Sequence, residues 1–318
     1  MKIIITGCAG FIGSNFVDKL LSLGHVIVGI DNFSTGHKFF LNNAMNSQKF
    51  TLVECDLLDI NSYENFFKNI DLVIHFAANA DVSEGYKYPK RDLEQNTIVT
   101  SNILDCMRKN NIKKIIFSST GSIYGESRNI PTPENDNFPI QTSLYGASKL
   151  ACEGLIQAYS EAYNIQSWIF RFVSILGPRY THGHIFDFYK QLMLDPNNLF
   201  ILGDGLQKKS YLHVFDCLDA VMFALKNSND RVNIFNLGVN DYCEVNDSVG
   251  WICDELKLKP NLKYSGGDRG WIGDNPFIFL DTTKINNLGW NPVYTIKEGV
   301  QETVRFMLKN EWIFKERT

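Results

Sequence analysis

Short apolar runs alternate with helix-length amphipathic segments through the first half of the chain, and this alternation constrains the fold more than any other feature. Residues 14–23, 93–110 and 145–163 lie between the runs and carry apolar side chains at helical intervals. In chain order the runs are "KIIIT", "HVIVGID", "FTLVECD", "DLVIHFAA", "KKIIFSS" and "QSWIFRFV". Nearly continuous apolar strands separated by helices are typical of a parallel sheet covered on both faces. The sequence therefore predicts an α/β fold with a doubly wound parallel sheet.

The alternation weakens after residue 171, where the sequence becomes rich in glycine, proline and aromatic residues. Examples are "ILGPRYTHGHIFDFY" and "SGGDRGWIGDNPF", whereas "VNIFNLG" has the pattern of one more strand. This change predicts two domains. We expect residues 1–171 with about 209–238 to form the sheet domain, and about 172–208 with 239–318 to form a smaller cap.

The composition of the 318 residues narrows the class of protein. The formal net charge of -4, without a long basic run, argues against nucleic acid as a main partner. Seven scattered cysteines without a C-x-x-C pair favour reduced thiols in the cytoplasm over disulfides or a metal site. The opening "MKIIITG" has no apolar stretch long enough for a signal peptide or a membrane span. We therefore expect a cytoplasmic protein without a membrane segment or a bound metal.

Glycines follow the first predicted strand in the segment "ITGCAGFIGSN". Gly7, Gly10 and Gly13 form a G-x-x-G-x-x-G pattern that opens the first predicted helix. At such a position glycines allow a tight turn, and backbone N–H groups can meet a pyrophosphate. A simple glycine-rich turn is the alternative, and the spacing differs from the G-x-G-x-x-G fingerprint. The pattern therefore needs support from elsewhere in the sequence.

An acidic residue at the end of the second strand gives that support. The Asp31 carboxylate can accept hydrogen bonds from both hydroxyls of an adenine ribose. Residues 32–36 contain no arginine or lysine that could receive a 2′-phosphate, so the sequence favours NAD over NADP. Asp56 follows the third strand, where an adenine contact and a turn cap are about equally plausible.

The segment "SLYGASKLACEG" places Tyr145 and Lys149 four residues apart, on one face of a predicted helix. Tyr86 and Lys90 have the same spacing, so spacing alone is weak evidence. Pro89 argues against a continuous helix for that second pair.

Small hydroxyl residues, Ser118, Ser119 and Thr120, end the buried strand that precedes this helix. The carboxyl edge of a doubly wound sheet is where such folds hold ligands. By itself such a triplet more often forms a strand-ending turn. It indicates a catalytic site only in combination with Tyr145 and Lys149 on the following helix.

Together these motifs resemble the extended short-chain dehydrogenases/reductases, in the group of nucleotide-sugar epimerases and dehydratases. Within the group the chain is most similar to UDP-glucose 4-epimerase-like members. The matching stretches lie between residue 3 and about 220, with "GDNP" and "LGWNP" extending the match towards the C-terminus. They are "TGCAGFIGSN", "DNFSTG", "HFAA", "SSTGSIYG", "YGASK", "GPRYTHG" and "KSYLHVFD". The resemblance implies a Rossmann domain that binds NAD, a nucleotide-sugar substrate and a homodimer.

The resemblance also assigns roles to residues. Tyrosine has an ordinary pKa near ~10, and Lys149 would lower that of Tyr145 so that it can act as the base. Thr120 would hydrogen-bond the sugar oxygen, and Lys149 would also hold the nicotinamide ribose. Besides Tyr145 and Lys149, the implied cofactor contacts are Gly7, Gly10, Phe11, Ile12, Gly13, Asp31, Asn32, Ser34, Thr35, Gly36, Asp56, Leu57, Phe76, Ala77, Ala78, Asn96, Ser118 and Phe172.

The residues after Thr120 bear on the type of reaction. Dehydratases of this family carry an acid–base pair there, commonly Asp-Glu, and the related decarboxylases a glutamate two places on. Gly121 and Ser122 occupy these positions here, so oxidation at C4 without elimination is expected. Hydride return, the habit of the family, makes an epimerase, which we favour. A 4-dehydrogenase that stops at the ketone remains open, whereas a 4,6-dehydratase and a non-enzymatic NAD sensor are less favoured.

Substrate contacts follow from the resemblance at four positions. Arg179, Lys209 and Arg269 are expected near the phosphates. Ser174 replaces the asparagine of the family's R-x-x-N, which leaves room for a GDP-linked sugar or heptose besides a UDP-linked one. His182 and His184 are expected in the substrate loop.

Overall fold

A computed structural model describes residues 1–79, 84–137, 140–267 and 277–316 of the chain. Within these residues the strands are β1 (Lys2–Thr6), β2 (Val26–Asp31), β3 (Phe50–Glu54), β4 (Leu72–His75), β5 (Lys114–Thr120), β6 (Gln166–Phe172), β7 (Ser174–Leu176), β8 (Asn198–Ile201), β9 (Lys208–Lys209), β10 (Tyr211–His213), β11 (Val232–Leu237), β12 (Cys243–Glu244) and β13 (Asn261–Tyr264).

The helices alternate with these strands in the first half and cluster in the second. They are α1 (Phe11–Ser22), α2 (Asn42–Met45), α3 (Glu84–Lys87), α4 (Pro89–Asp92), α5 (Val99–Lys109), α6 (Leu144–Tyr163), α7 (His184–Leu194), α8 (Val214–Asn227), α9 (Val245–Leu256), α10 (Thr283–Asn287), α11 (Ile296–Lys309) and α12 (Ile313–Glu316). A π-helix, Leu93–Ile98, precedes α5, and 3₁₀ turns lie at Lys38–Leu41, Ile60–Ser62, Glu64–Phe67 and Gly121–Tyr124.

Seven parallel strands form the large sheet in the order β11–β6–β5–β4–β1–β2–β3. The chain builds outward from β1 through β2 to β3, and then outward in the other direction from β4. The strand order therefore reverses between β1 and β4, which opens a crevice at the carboxyl ends of these strands. The predicted doubly wound parallel sheet is confirmed.

Alternating side chains of the central strands enter different cores. Ile3 and Ile5 belong to the apolar cluster on one face of the sheet, and Ile4 belongs to the cluster on the other face. All three are fully buried, as expected for a strand covered by helices on both sides. Burial of both faces explains why the strands read as nearly continuous apolar runs.

Three small sheets lie in the second half of the chain. β7 pairs with β10 and β8 with β13 in parallel, whereas β9 and β12 are antiparallel. Between them β11 returns to the edge of the large sheet, beside β6. The apolar cluster that contains Ile3 extends without a break to Leu199 and Ile201 of β8. This continuous core holds the small sheets against the large one.

Some helix predictions need correction. Helix α1 begins at Phe11, three residues before the predicted start, because Gly13 is inside the helix. The segment 93–110 is not one α-helix, since its first part is the π-helix Leu93–Ile98. The absence of a continuous helix through Tyr86 and Lys90 is confirmed, because α3 and α4 are separate. Among the described residues, no helix has the length and apolar character that crossing a membrane requires.

We expect Gly13→Ala to lower the free energy of unfolding by about 1–3 kcal/mol, because a methyl group there would lie 2.0 Å from the Gly7 carbonyl oxygen. Gly250→Ala in α9 is the matched control, because a methyl group there would have no atom of another element within 4 Å. Alanine at that helical position should raise the free energy of unfolding by about 0.5–1 kcal/mol. Denaturant unfolding of both variants measures the difference, and equal shifts would contradict the packing described.

Candidate active site

A cavity of about 620 Å³ lies at the carboxyl edge of the large sheet. Its volume is within the usual range for small-molecule and cofactor sites. The ends of β1, β2, β4, β5 and β6 all contribute to its wall. The predicted site residues that line it are Gly7, Gly10, Phe11, Ile12, Gly13, Asp31, Asn32, Ser34, Thr35, Gly36, Leu57, Phe76, Ala77, Ala78, Ser118, Thr120, Tyr145, Phe172 and Ser174.

The glycine loop forms one end of the cavity. Gly7 has φ +68°, and a methyl group on it would lie 2.7 Å from the Ala77 backbone nitrogen. Gly10 precedes the first residue of α1 and supplies no side chain to cap it. The N–H groups of the first helical turn therefore face the side where a phosphate is expected. The loop thus fits a dinucleotide pyrophosphate.

Asp31 is held in place at the end of β2 by backbone donors. Its Oδ2 accepts a hydrogen bond from Ala9 N (2.8 Å), and its Oδ1 accepts one from Phe33 N (2.9 Å). Burial raises the pKa of Asp31, while these hydrogen bonds act in the opposite direction. The side chain lies on the cavity wall, where its carboxylate can receive ribose hydroxyls. The residues present therefore fit the adenosine half of the cofactor.

Asp56 caps the turn after β3. Its Oδ1 accepts a hydrogen bond from Leu58 N (2.9 Å), and its Oδ2 accepts one from the Asn32 side chain (3.2 Å). Gln95 also donates to Oδ2, at 3.5 Å. Unlike its neighbour Leu57, Asp56 is not part of the cavity wall among the described residues. The structure thus shows the turn-cap arrangement directly, and an adenine contact of Asp56 stays a prediction.

Thr120 and Tyr145 come together on the cavity wall from different elements. Thr120 is the last residue of β5, and Tyr145 is in the first turn of α6. The helix starts there because the Ser143 side chain accepts a hydrogen bond from Gly146 N (3.0 Å), an N-cap contact. Burial raises the pKa of Tyr145 to about 12, while a hydrogen bond with Thr120 lowers it.

Lys149 lies behind this pair, one turn further along α6. It is 2% exposed, and its Nζ donates a hydrogen bond to the Ser118 carbonyl oxygen at 2.8 Å. Burial lowers the pKa of Lys149 to about 8, and nearby Cys152, Glu153 and Asp92 oppose this effect. The side chain is therefore mostly protonated at neutral pH, and it lies on the same face of α6 as Tyr145.

Asn96 supports the helix that carries Tyr145. Its Nδ2 donates to Ser148 Oγ (2.8 Å), and Ser148 Oγ donates to the Tyr145 carbonyl oxygen (2.8 Å). Its Oδ1 accepts a hydrogen bond from Asn79 N, also at 2.8 Å. Asn96 is 1% exposed and belongs to the π-helix, so it reaches the site through Asn79 and Ser148.

The predicted substrate residues do not converge in the same way. Ser174 lies on the cavity wall, whereas the Arg179 guanidinium is paired with Asp18 of α1 and lies outside the wall described. Lys209 is in β9, opposite Cys243 of β12. Arg269 lies outside the described residues. The Arg179 guanidinium is thus already paired with a carboxylate, and a phosphate contact of Arg179 stays a prediction.

Sequence reasoning missed several residues of the wall. Thr181 comes from the "GPRYTHG" segment, and its neighbour His182, which the sequence places in the substrate loop, also lines the cavity. His184 instead forms a hydrogen bond with Tyr211 of β10, with 2.7 Å between Tyr211 Oη and His184 Nδ1. Arg91 and Gln95 line the cavity from α4 and the π-helix. Their four-residue spacing could have indicated a shared face, but no motif distinguished them.

The chain matches the model of the family described as "NAD dependent epimerase/dehydratase family" over residues 3–238. A curated relative, the putative UDP-glucose 4-epimerase of Methanocaldococcus jannaschii, is 34% identical over 314 residues. The alignment covers 97% of this chain and 99% of the relative.

Solved structures show the same similarity over the full length. The UDP-glucose 4-epimerase of Thermotoga maritima with UDP-glucose has a TM-score of 0.87 and 30% identity, covering 98% of this chain and 100% of that one. The UDP-glucuronic acid 4-epimerase of Bacillus cereus, in complex with UDP-glucuronic acid and NAD, has a TM-score of 0.87 and 26% identity. That match covers 97% of this chain and 99% of the other.

We expect the protein to bind NADH at least roughly tenfold more tightly than NADPH, because the Asp31 carboxylate repels a 2′-phosphate. Asp31→Asn should reduce this ratio, since it removes the charge while keeping the shape. Asp56→Asn, at the end of the next strand, should leave the ratio unchanged. Direct fluorescence titration with both nucleotides measures it, and equal or tighter NADPH binding by the unsubstituted protein would refute the role of Asp31.

Proposed function

The chain belongs to the NAD dependent epimerase/dehydratase family, and from this premise we propose that it is a nucleotide-sugar 4-epimerase. The relative from Methanocaldococcus jannaschii is named a putative UDP-glucose 4-epimerase, and the structure from Thermotoga maritima holds UDP-glucose. Both names support a UDP-linked hexose as the substrate class. The reaction would pass through a 4-keto sugar with an unchanged carbon skeleton.

One observation carries the proposal, namely the meeting of Thr120 and Tyr145 on the wall of the cavity with Lys149 behind them. Tyr145 Oη would take the proton of the C4 hydroxyl, and the Thr120 hydroxyl would hydrogen-bond the same oxygen. The Lys149 ammonium would stabilise the phenolate and thereby lower the pKa of Tyr145 towards the working pH. When bound, NAD supplies the group that accepts the hydride from C4 and gives it back. After inversion Tyr145 would return the proton to the new hydroxyl.

The surroundings of Gly121 support a reaction without elimination. Neither Gly121 nor Ser122 can act as a carboxylic acid. A side chain at position 121 would begin with a Cβ only 2.5 Å from Ile278 Cγ2, and 3.3 Å from the Phe172 carbonyl oxygen. There is thus no space at position 121 for the first residue of the acid–base pair that a dehydratase carries after the threonine.

A 4-dehydrogenase is the second candidate, and the position of Ser174 is the observation in its favour. Ser174 lies on the cavity wall at the start of β7, where the family's asparagine is expected to hold the sugar. A shorter side chain leaves more room, which also suits a GDP-linked sugar or a heptose. The two candidates differ in the fate of the hydride from C4, which an epimerase returns to the sugar and a dehydrogenase leaves on the cofactor.

We also propose that the cap, about residues 172–208 with 239–318, holds the sugar and its phosphates while the sheet domain holds NAD. Ser174, Thr181 and His182 line the cavity from this part of the chain. Lys209, at the start of the returning segment of about 209–238, is the remaining described candidate for a phosphate contact.

Tyr145→Phe should reduce turnover by about 10²–10⁴-fold, because it removes the proton acceptor without creating a cavity. NAD content and thermal stability should not change. Chromatography of UDP-glucose and UDP-galactose after incubation measures the rate in both directions. Tyr189→Phe, which removes the hydroxyl of a fully buried tyrosine of α7 that is not part of the cavity wall described, is the matched control. If Tyr145→Phe keeps most of its activity, the assignment of the base is wrong.

We further propose a homodimer formed by the segment 93–110, which contains the π-helix and α5, together with α6. Apolar side chains remain exposed on this side of the molecule, including Leu93 (53%), Ile98 (43%) and Leu144 (43%). Ala151 and Ala158 are exposed on the outer face of α6, and such small residues allow a second helix pair to approach closely. Four helices, two from each copy, would then cover these surfaces.

Ile98→Glu should convert the dimer to a monomer, because it places a charge in the proposed apolar interface. Leu194→Glu introduces the same charge at an apolar residue of α7 that is 80% exposed, and it should leave the dimer intact. Sedimentation velocity at micromolar concentration distinguishes the two states. A monomeric unsubstituted protein, or a dimeric Ile98→Glu variant, would contradict the proposal.

A further inference from the structure

A buried ion pair lies behind the cavity, between α6 and β6. Glu153 is 0% exposed and Arg171 is 7% exposed. Arg171 Nε donates to Glu153 Oε1 at 3.0 Å, and its Nη2 donates to Oε2 at 2.7 Å. A bidentate contact of this kind is geometrically specific, and removing either partner leaves a buried charge without compensation. Within the described residues neither side chain is part of the cavity wall, so the pair does not act on a ligand directly.

Glu153 is placed on the same face of α6 as Tyr145 and Lys149. The three residues are successive members of one four-residue spacing, so their side chains lie in a row along the helix. The Ser119 hydroxyl donates a hydrogen bond to Glu153 Oε1, and the preceding residue, Ser118, accepts one from Lys149 Nζ.

The same row continues to the reacting end of the helix. Thr120, which follows Ser119 in β5, hydrogen-bonds the Tyr145 side chain and thereby lowers its pKa against the effect of burial. Three consecutive residues of the strand thus contact three residues of the helix. Tyr145 and Lys149 take part in the proposed chemistry, whereas Glu153 and its partner on the strand, Ser119, do not.

Arg171 is fixed on its other side as well. Its Nη1 donates to Tyr124 Oη at 2.6 Å and to the Glu134 carbonyl oxygen at 2.8 Å. Tyr124 Oη in turn donates to Asn236 Oδ1 of β11 (2.8 Å), so the guanidinium is also tied to the edge strand that pairs with β6. Burial raises the pKa of Tyr124 to about 12, and the phenol is therefore neutral. The position of Glu153 is thereby determined by the large sheet.

We propose that Glu153 and Arg171 are positioning residues that fix helix α6 on strand β5, so that Tyr145 meets Thr120 and Lys149 meets Ser118, without adding net charge beside them. The inference rests on the proposed function, since Tyr145 and Lys149 are the groups that are positioned.

The neutrality of the pair has a consequence that can be measured. Eight helical residues separate Glu153 from Tyr145, a rise of about 12 Å. At an effective dielectric constant of about 20, one unpaired charge at that distance shifts a pKa by roughly 1 unit. A carboxylate without its partner would raise the pKa of Tyr145, and a guanidinium without its partner would lower it.

Other titratable groups near Tyr145 are the same residues in every variant, although Glu153 also raises the pKa of Lys149 and of Cys152. Burial is the largest cause that raises the pKa of Tyr145, and Asp92 of α4 and Cys152 of α6 raise it further. His75 of β4 also lies near Lys149, and burial lowers its pKa to about 3, so it carries no charge at the pH of interest. Differences between the variants therefore report on the ion pair.

The test is a titration of Tyr145 in the NAD-bound protein by ultraviolet difference spectroscopy, with Tyr145→Phe as the blank. Glu153→Gln keeps an oxygen that can accept from Ser119 but removes the charge, and it should lower the pKa of Tyr145 by roughly 1 unit. Arg171→Met should raise this pKa by a similar amount or more, because it leaves the carboxylate unpaired and releases the helix. Arg171→Lys keeps the charge and should return the value towards that of the unsubstituted protein.

A matched control is present in the same helix. Ser160 Oγ donates to Ser167 Oγ at 3.0 Å, a buried contact between α6 and β6 that is remote from Tyr145 along the helix. Ser160→Ala should reduce stability without moving the pKa of Tyr145. Shifts in the same direction for Glu153→Gln and Arg171→Met, or no shift in either, would overturn the proposal and leave the pair a purely structural feature.

If Arg171→Met fails to fold, Glu153→Gln and Arg171→Lys carry the same test, because only the first changes the net charge. The proposal then requires a lower pKa in Glu153→Gln and an unchanged one in Arg171→Lys, and equal shifts would overturn it. The titration needs no turnover. Opposite shifts in a protein that epimerises no sugar would therefore refute the proposed function while supporting the positioning of Tyr145.

Discussion

Helix α6 contacts strand β5 through polar groups as well as apolar packing, and the arrangement of the site depends on these contacts. The Lys149 ammonium is bonded to the Ser118 carbonyl group, one residue before the strand reaches Thr120. Glu153, one turn further along the helix, is held by Arg171 of the neighbouring strand. Because these groups are buried, each is costly to leave unpaired, so a shift of the helix along the strand is strongly disfavoured. Tyr145 is thereby kept next to Thr120 although the two belong to different elements.

The parallel direction of the seven strands explains why the other parts of the site meet the same cavity. The carboxyl ends of parallel strands lie at one edge of the sheet, and the reversal of strand order between β1 and β4 opens a crevice there. The glycine loop follows β1, Asp31 ends β2, and Thr120 ends β5. The residues expected to bind the cofactor and those expected to transfer the proton are therefore arranged along one edge. A Cβ at position 121 would lie 2.5 Å from Ile278 Cγ2, so this packing favours glycine directly after Thr120.

Much of this arrangement could be predicted from the sequence, because strands buried on both faces leave apolar runs that are easy to identify. The family match confirms the predicted enzyme class and the use of NAD. The sequence pattern places Gly13 in the turn, whereas the structure has it inside α1. A side chain at this position would clash with the Gly7 carbonyl oxygen, so glycine is needed within the helix itself. The strands of the small sheets contain two to four residues, too few to show a periodicity. The pairing of Arg179 with Asp18 joins positions 161 residues apart, and the pairing of Glu153 with Arg171 depends on how a helix lies on a sheet. Local sequence patterns do not carry such information.

The central claim is that the site oxidises C4 of a nucleotide sugar and returns the hydride to the opposite face. Incubation with UDP-glucose deuterated at C4 tests it most directly, with the products analysed by mass spectrometry and NMR. We expect UDP-galactose of unchanged mass, with the deuterium still bound to the inverted carbon. Deuterium in reduced cofactor together with an accumulating 4-keto sugar would contradict the epimerase and indicate a dehydrogenase. A product lighter by one water would contradict both readings of the site.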